Sequence, residues 1–433
     1  MSVEVIIGPK KIVYCAPVNN ATQKWGVYCL PRLWRLQDGT LVIRFNGEQD
    51  TFNLNELNIA KNLYYISKDD GETWEFDPDG EQKYDTSTLL GIGSPFVTLP
   101  NGNIIAFKDK DNCKPIKNTK HQKEFIFPNG GSVYYTYKYG DIPEECKGLE
   151  MLTYKTPTSS PEISKVELNF DEREVYVNAM AITRGEHIPV EQYIRPFFCH
   201  NPYITGVNVL SNGELVALSG GQNPKVFDRY CSEVYLMVSN DKGLTWEKRS
   251  IVASDDKNVP YGYGGDAIET SLCLAKNGDL ICAMRMDLSI DPKRSKPICD
   301  TMLAISHDNG YTWDAPFSVS DSSITPQVIS LDNGIIVVAY GRPGVHFKYS
   351  EDFGKTWSES YSIIGLTLEQ ERALGRDDSD SKYFDTCSYS NLFIEKISED
   401  SFIVLTTDLK YDDGDGQNHK AGFIRKITLK NNS

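Results

Sequence analysis

The chain has 433 residues, of which 40% are hydrophobic and 11% aromatic, and it carries a formal net charge of −15. This length and apolar content suffice for a large buried core, either in two or three domains or in one repeat architecture. The acidic balance argues against nucleic acid or an anionic membrane as the main partner, and no segment approaches the ~20 apolar residues of a membrane-spanning helix.

The N-terminal residues 1–17 have neither an apolar core of signal-peptide length nor a small-residue cleavage pattern. Ten cysteines are scattered without a CxxC pair, which is typical of reduced thiols rather than of a disulfide framework. We therefore expect a cytoplasmic protein. The six histidines are also scattered, without an HxxxH or HxH pair, so the sequence predicts no metal site and implies no cofactor.

Strand–turn–strand units recur along the chain, each with Asp-Gly or Asn-Gly between two apolar runs. They are LQDGTLVIRF (36–45), LPNGNIIAFK (99–108), LSNGELVALS (210–219), AKNGDLICAM (275–284) and LDNGIIVVAY (331–340). A sixth, degenerate copy follows at 394–407. Because these dipeptides between apolar runs are a strong hairpin signal, the pattern predicts six β-hairpins.

An octet of the form S-x-D-x-G-x-T-W interleaves with the hairpins and contains four of the six tryptophans. Its copies span 67–74, 239–246, 306–313 and 350–357. We expect Asp to accept backbone N–H bonds, Gly to supply a positive φ, and Trp to pack beneath a neighbouring blade. A catalytic residue is not needed four times, so the octet is interpreted as scaffold, with His307 at an exposed variable position.

Repeated units of several short strands predict an all-β, six-bladed β-propeller in one domain spanning 1–433, because such blades cannot bury their faces alone. The long interval between the second and third hairpins, roughly 109–195, is interpreted as an elaborated blade with an insertion; a small inserted domain is the alternative. Helical patterns are sparse, and the clearest is LTLEQERALG at 366–375.

The octets on this plan resemble the Asp boxes (BNR repeats) of the sialidase (neuraminidase) superfamily, and the resemblance covers most of the chain. In that family a glutamate precedes the hairpin glycine of a central blade, and an arginine follows it. Glu269 stands nine residues before Gly278, and Arg285 stands seven after it. Arg342, eight residues before the serine of the last Asp box, matches the family's next arginine, and Tyr389 in SYSNLF matches its nucleophilic tyrosine.

The resemblance implies a retaining exo-glycosidase with a tyrosine nucleophile. A sialic acid carries a carboxylate on its anomeric carbon, which would repel a carboxylate nucleophile. Because free tyrosine has a pKa of about 10, Glu269 would accept the phenolic proton of Tyr389 while nearby arginines favour the phenolate. Arg285 and Arg342 would bind the substrate carboxylate through paired hydrogen bonds.

The first blade departs from the family pattern. Aligned on Pro31 and Gly39, the chain has Cys29 where the family's Arg-Ile-Pro element has its arginine. Arg32 lies three residues further on, and strand alternation directs it to the opposite face from residue 29. Arg35 shares the parity of residue 29 but lies deeper in the strand. Both are candidate substrate-binding residues. Either the substrate carboxylate is bound by two arginines alone, or the ligand lacks that carboxylate.

The acid/base is the second open assignment. Sialidases place an aspartate about eleven residues before the serine of the first Asp box. That offset falls on Glu56, with Asp50 as an equal rival if the loop is longer and Glu48 as a third candidate. A carboxylic acid of either length could protonate the leaving oxygen if its pKa were raised.

Three functions stay open at this level: a sialidase-like hydrolase of a sialic acid or related acidic sugar, a propeller glycosidase or lyase for another uronic or keto-deoxy sugar, and a non-catalytic carbohydrate-binding propeller. The joint presence of Glu269, Arg285, Arg342 and Tyr389 favours an enzyme, because a lectin needs no activated tyrosine. Each of these residues also has a purely structural alternative. Glu269 and Arg285 could form an ion pair across one hairpin, Arg342 could stabilise a turn, and Tyr389 could be a core aromatic. The expected partner is a carbohydrate, and the oligomeric state is not predicted.

Overall fold

The computed structural model describes most of the chain, and its strands account for nearly all regular structure. The described residues are 3–49, 59–84, 96–109, 123–126, 133–138, 149–155, 159–169, 176–180, 182–183, 186–187, 205–222, 232–254, 269–288, 298–341, 343–373 and 391–431. They form thirty strands and two short helices. The predicted all-β class is confirmed.

Most strands form antiparallel runs of four, in which each strand pairs with the next one of its run. In order, the runs are β3 (Arg32–Arg35), β4 (Leu41–Phe45), β5 (Leu63–Ser67), β6 (Glu75–Phe76); β7 (Phe96–Thr98), β8 (Ile104–Asp109), β11 (Leu149–Tyr154), β12 (Glu162–Asn169); β16 (Thr205–Val209), β17 (Leu215–Gln222), β18 (Ser232–Ser239), β19 (Thr245–Ser254); β20 (Thr270–Leu274), β21 (Leu280–Leu288), β22 (Ile298–Ser306), β23 (Phe317–Ser320); β24 (Gln327–Ser330), β25 (Ile336–Gly341), β26 (Val345–Ser350), β27 (Tyr361–Ser362); and β28 (Phe393–Lys396), β29 (Ser401–Tyr411), β30 (His419–Asn431), with β1 (Val3–Ile7) as the last strand.

The remaining elements lie outside these four-stranded runs. They are β2 (Lys11–Cys15), β9 (Lys123–Ile126), β10 (Val133–Lys138), β13 (Tyr176–Met180), β14 (Ile182–Thr183), β15 (Glu186–His187), α1 (Gly80–Tyr84) and α2 (Leu368–Ala373). Neither described helix is long and apolar enough to cross a membrane. Parallel pairing of β12 with β19 joins two of the runs into one 11-stranded sheet. The count of six blades and the interpretation of 109–195 stay predictions.

The Asp-Gly and Asn-Gly dipeptides form the predicted hairpin turns. At the first turn Gly39 has φ +90°, which L-residues rarely adopt, and its N–H donates to Leu36 O at 3.0 Å. Asp38 Oδ1 accepts the Thr40 N–H at 2.9 Å, so the side chain completes the turn. The glycines of the four later dipeptides have the same positive φ. The predicted hairpins are confirmed.

The Asp boxes form a second set of turns at the same end of the runs. In the second copy Asp241 accepts the Thr245 N–H at 2.8 Å and the Thr245 hydroxyl at 2.6 Å, while the Gly243 N–H donates to Ser239 Oγ at 2.9 Å. Trp246 is fully buried, edge-on to Phe107 of β8 in the neighbouring run. The other three copies repeat these bonds, so the predicted scaffold role is confirmed.

The first strands of neighbouring runs are linked by side chains rather than by a sheet ladder. Each such strand has an unpaired edge whose backbone groups need partners. Ser271 Oγ accepts the Val328 N–H at 3.1 Å. The Gln327 side chain donates to Leu392 O at 3.0 Å and accepts the Ile394 N–H at 3.0 Å. These bonds fix the register of β20, β24 and β28 against each other, at the strand ends where the candidate site lies.

The last and first runs also pack closely. The N-terminal strand β1 pairs with β30 and completes the last run. A Cβ atom at Gly422 on β30 would lie 2.0 Å from the Phe45 ring of β4, so the close approach requires glycine. Ile403 and Leu405 of β29 share an apolar cluster with Ile43 of β4. The last run, which includes the N-terminal strand, therefore packs directly against the first run.

Candidate active site

The register of one hairpin brings two of the sequence-predicted residues together. Glu269 immediately precedes β20, and the pairing of Thr270 with Met284 places Arg285 of β21 beside it. The Arg285 N–H donates to Glu269 O at 3.3 Å, and Arg285 Nη1 lies 3.3 Å from Glu269 Oε2. Both side chains therefore lie at the strand ends that face away from the Asp-Gly turns and the Asp boxes.

Glu269 is oriented mainly by a backbone donor rather than by the arginine. Its Oε2 accepts the Thr325 N–H at 2.7 Å, which is shorter than the contact with Arg285. Among the described residues, Oε1 has no hydrogen-bond partner. The Glu269 side chain is 24% exposed and that of Arg285 is 23% exposed. The pair is accessible to a ligand, unlike a sealed ion pair inside a sheet.

Thr325 adopts a backbone conformation that β-branched residues avoid. Its φ is +38°, although its side chain is a branched one and Pro326 follows it in the chain. The residue is buried, and its Oγ1 accepts the Leu392 N–H at 3.3 Å. Strained residues of this kind persist where their surroundings over-determine them, and they cluster at functional sites. Sequence analysis missed Thr325, which had no signal beyond its loop composition.

Arg32 lies at the same strand ends, in the first run. It begins β3, and its guanidinium carbon lies 5.9 Å from the centre of the Phe393 ring on β28. Its Cα partner across the β3–β4 pair is Arg44, which is only 4% exposed. Sequence analysis did not select Arg44; the available signal was a lone cation in the apolar strand LVIRF, on the opposite face from Ile43 and Phe45.

Arg35 lies at the other end of β3 and is bonded to the scaffold. Its Nη1 donates to Ile397 O at 2.6 Å, and its Nη2 forms an ion pair of 2.9 Å with Asp70 in the first Asp box. The structure therefore brings Arg32, but not Arg35, to the strand ends that carry Glu269. The sequence placed both on one short strand and could not say which end faced a ligand.

Cys29 is a packed residue. It is fully buried in an apolar cluster with Trp25 and Leu409, and its Sγ accepts the Gly26 N–H at 3.2 Å. A side chain enclosed in this way does not contact a ligand. The position at which the family resemblance implies a first arginine is therefore filled by core.

Four predicted residues, Tyr389, Arg342, Glu56 and Asp50, lie outside the described residues. The third acid candidate, Glu48, is described and half-buried after β4. Its Oε2 is buried without a hydrogen-bond partner in the described part of the chain. A buried carboxylate oxygen needs a hydrogen-bond partner, and this observation keeps Glu48 among the acid candidates.

Two other expectations concern metals and His307. The described residues contain no group of three or more His, Cys, Asp or Glu side chains arranged to bind a metal ion. His307 is half-exposed, and its two ring nitrogens lie 2.9 Å from Asp279 and 3.3 Å from Asp314. The hydrogen bond to Asp279 is the main cause that raises the pKa of His307 above its usual value. His307 belongs to the Asp box that follows β22, whereas Arg285 on β21 pairs with Thr301 further back along that strand.

Comparison with protein families identifies the repeat type. Residues 178–373 match the BNR repeat-like domain. The resemblance predicted from the Asp boxes is confirmed: the chain carries BNR-type repeats, as the sialidase superfamily does.

Solved structures similar to this chain include a protein of unknown function, a sialidase and an arabinofuranosidase. A protein of unknown function from Dyadobacter fermentans DSM 18053 is 16% identical, with 98% of this chain and 99% of that chain covered and a TM-score of 0.56. A point mutant of the NanB sialidase from Streptococcus pneumoniae is 14% identical over 98% and 70%, with a TM-score of 0.49. The α-L-arabinofuranosidase Arb93A from Fusarium graminearum is 12% identical over 96% and 97%, also with a TM-score of 0.49. At these identities the first likeness supports the fold alone.

Proposed function

We propose that this chain is a sialidase-like exo-glycoside hydrolase on a single six-bladed propeller, which retains anomeric configuration through a tyrosine nucleophile and acts on a sialic acid or a related acidic sugar. The observation that carries the proposal is the arrangement of Glu269. One of its carboxylate oxygens is held by the Thr325 N–H, while the other has no partner in the described residues and is available for a proton. Arg285 stands beside it in a partly exposed position.

In the proposed first step the Tyr389 oxygen attacks the anomeric carbon and the bond to the leaving oxygen breaks. The phenolic proton passes to Glu269, and the leaving oxygen takes a proton from a carboxylic acid. Water then hydrolyses the tyrosyl intermediate in a second step with the same residues. Arg285 and Arg342 bind the substrate carboxylate, and Arg32 adds positive charge from the first run.

The acid has three candidates, which differ in what supports them. Glu56 and Asp50 are favoured by their offset from the first Asp box, and Glu48 by its buried, unpartnered oxygen. Replacing each in turn by its amide identifies the acid: the variant that loses activity on a poor leaving group but keeps it on methylumbelliferone lacks the proton donor, because a good leaving group needs no protonation.

Release of methylumbelliferone from its α-sialoside tests the proposal, with native protein, Tyr389→Phe and Tyr311→Phe compared. Tyr311 is a matched control, since it is an exposed tyrosine on an Asp box that contacts Arg249. We expect turnover by the native protein and Tyr311→Phe, and its loss in Tyr389→Phe. Full activity of Tyr389→Phe would refute the tyrosine mechanism.

Another acidic sugar, uronic or keto-deoxy, is the second candidate, and the buried Cys29 favours the uronic acids among them, which have no carboxylate on the anomeric carbon. A site without the first arginine has less positive charge to offer a carboxylate on the anomeric carbon than the family's site has. Turnover of a uronic or keto-deoxy glycoside, with none of the sialoside, would select this substrate class. Binding of such sugars without turnover of any would instead indicate a carbohydrate-binding propeller.

A further inference from the structure

One connection, residues 321–325 between β23 and β24, is unusually well buried for a loop. We name it the site loop. Its residues Ser322, Ser323, Ile324 and Thr325 are between 1% and 4% exposed. Loops normally run over the surface because their backbone groups need water, so a buried loop must bond its polar groups elsewhere. The partners of this loop lie on four other segments.

The first two bonds lead to the Glu269–Arg285 pair. The Thr325 N–H donates to Glu269 Oε2 at 2.7 Å. Ser322 O accepts the hydroxyl of Thr301 at 2.7 Å, and Thr301 is the Cα partner of Arg285 across β21 and β22. The loop is thus bonded directly to the proposed base and to the strand position facing the proposed substrate-binding arginine.

The next bonds lead to the residues that flank Arg342 and Tyr389. Ser322 Oγ donates to Gly341 O at 2.8 Å, and Gly341 immediately precedes Arg342 in the chain. A Cβ atom at Gly341 would lie 2.9 Å from Ile324 Cγ2, so the loop also packs tightly there. Thr325 Oγ1 accepts the N–H of Leu392, which follows Tyr389 by three residues.

We propose that the site loop is the positioning element of the active site, in which Thr325 orients the Glu269 carboxylate against the segment before β28 and Ser322 holds the end of β25, which Arg342 follows in the chain. Its catalytic consequence rests on the proposed function. Neither residue contacts the reacting atoms, so both are positioning residues. At its positive φ, Thr325 directs its N–H to Glu269 while its hydroxyl meets Leu392.

Four variants separate positioning from general stability. Thr325→Val keeps the branched shape but removes the hydroxyl acceptor, Thr325→Ser restores it, and Ser322→Ala removes the donor to Gly341. Thr428→Val is the matched control, since within the described part of the chain the Thr428 hydroxyl is bonded to Ser401 Oγ alone, on strands away from the site loop.

We expect Thr325→Val to lower kcat by about 10- to 100-fold with little change in KM, since small misplacements of reacting groups have effects of this size. Thr325→Ser should recover most of the loss. Ser322→Ala should raise KM with little change in kcat, and Thr428→Val should leave both unchanged. Native kcat in Thr325→Val, or an equal loss in Thr428→Val, would overturn the proposal.

Crystal structures of the native protein and Thr325→Val distinguish failure of this inference from failure of the proposed function. We expect the distance between the Glu269 carboxylate and the Tyr389 oxygen to change by about 0.5 Å or more, the tolerance within which catalytic groups must be held. If the native protein cleaves no glycoside, the proposed function fails and this distance alone decides. An unchanged distance would overturn the positioning role whatever the activity.

Discussion

The Asp boxes and the site loop use the same chemistry in opposite ways. Both combine Ser, Thr or Asp side chains with a non-glycine residue at positive φ: Lys242 at +66° in the second Asp box and Thr325 at +38° in the site loop. The recurring Asp of each Asp box closes its hydrogen bonds within its own octet, as Asp241 does with Thr245. The site loop sends its bonds to other strands. The repeated turn is scaffold, whereas the outward bonds of the unique turn are the basis on which we propose it as part of the site.

The largest effect that we expect is on activity, in a variant of Glu269, the residue to which the site loop is bonded. Glu269→Gln keeps an acceptor for the Thr325 N–H but cannot take a proton. We expect kcat/KM to fall by about 10²- to 10⁴-fold, with the urea midpoint nearly unchanged because the side chain is partly exposed. Steady-state kinetics and urea unfolding of the same preparation check this. A variant that unfolds early and keeps its kcat would make Glu269 structural.

The converse effect is expected in an Asp box. Asp241→Ala removes the acceptor for both the N–H and the hydroxyl of Thr245. We expect the free energy of unfolding to fall by about 1–3 kcal/mol, while kcat of the folded protein stays native. Urea denaturation measures the first and active-site-normalised kinetics the second. Loss of kcat without loss of stability would contradict the division between scaffold and site.

A pH effect is expected where the last run meets the first. Burial raises the pKa of Glu395 on β28 to about 7, and the charges of Arg35 and Lys396 oppose this rise. Because the folded state holds the proton more tightly than the unfolded state, this stability is complete below the ordinary glutamate pKa. It is lost as pH rises through 7.

Glu395→Gln should therefore stabilise the protein above pH 7 relative to native, on the order of 1–3 kcal/mol, and have little effect near pH 4. Thermal unfolding at several pH values tests this, with the exposed Glu399→Gln as control. An equal gain at all pH values would show that the carboxyl does not titrate in this range.

The smallest effect separates the two candidate arginines of β3. Arg35→Met removes the ion pair with Asp70 and the bond to Ile397 O, so we expect a loss of about 1 kcal/mol in stability and an unchanged KM. Arg32→Met should raise KM several-fold with native stability. Parallel kinetic and unfolding measurements decide, and a raised KM in Arg35→Met alone would reverse the assignment.

The repeats could be predicted from the sequence because their signals are local. Asn277-Gly278 sets a turn, and that turn sets the register that joins Glu269 to Arg285. Even the short helix α2 has a visible start, since Thr367 and Gln370 cap each other through side chain and backbone.

The parts that could not be predicted depend on distant contacts. The bond from Thr325 to Glu269 joins residues 56 positions apart, and a threonine at positive φ contradicts its own propensity. Strand alternation puts Arg32 and Arg35 on opposite faces, but the end of the strand that faces the candidate site is set by their contacts with Phe393 and Asp70. Arg44 needed the register with Arg32. The sequence therefore predicted the conformation of each turn, but not the contacts between distant segments.

The most direct measurement is covalent labelling with a 3-fluorosialosyl fluoride, which forms a long-lived glycosyl-enzyme when a nucleophile attacks the anomeric carbon. Intact mass and tandem spectra of the tryptic peptide 383–396 locate the label. The account predicts one equivalent, on Tyr389, and slower labelling in Glu269→Gln. A label on a carboxylate, or turnover of the α-sialoside with no label at all, would contradict the tyrosine mechanism.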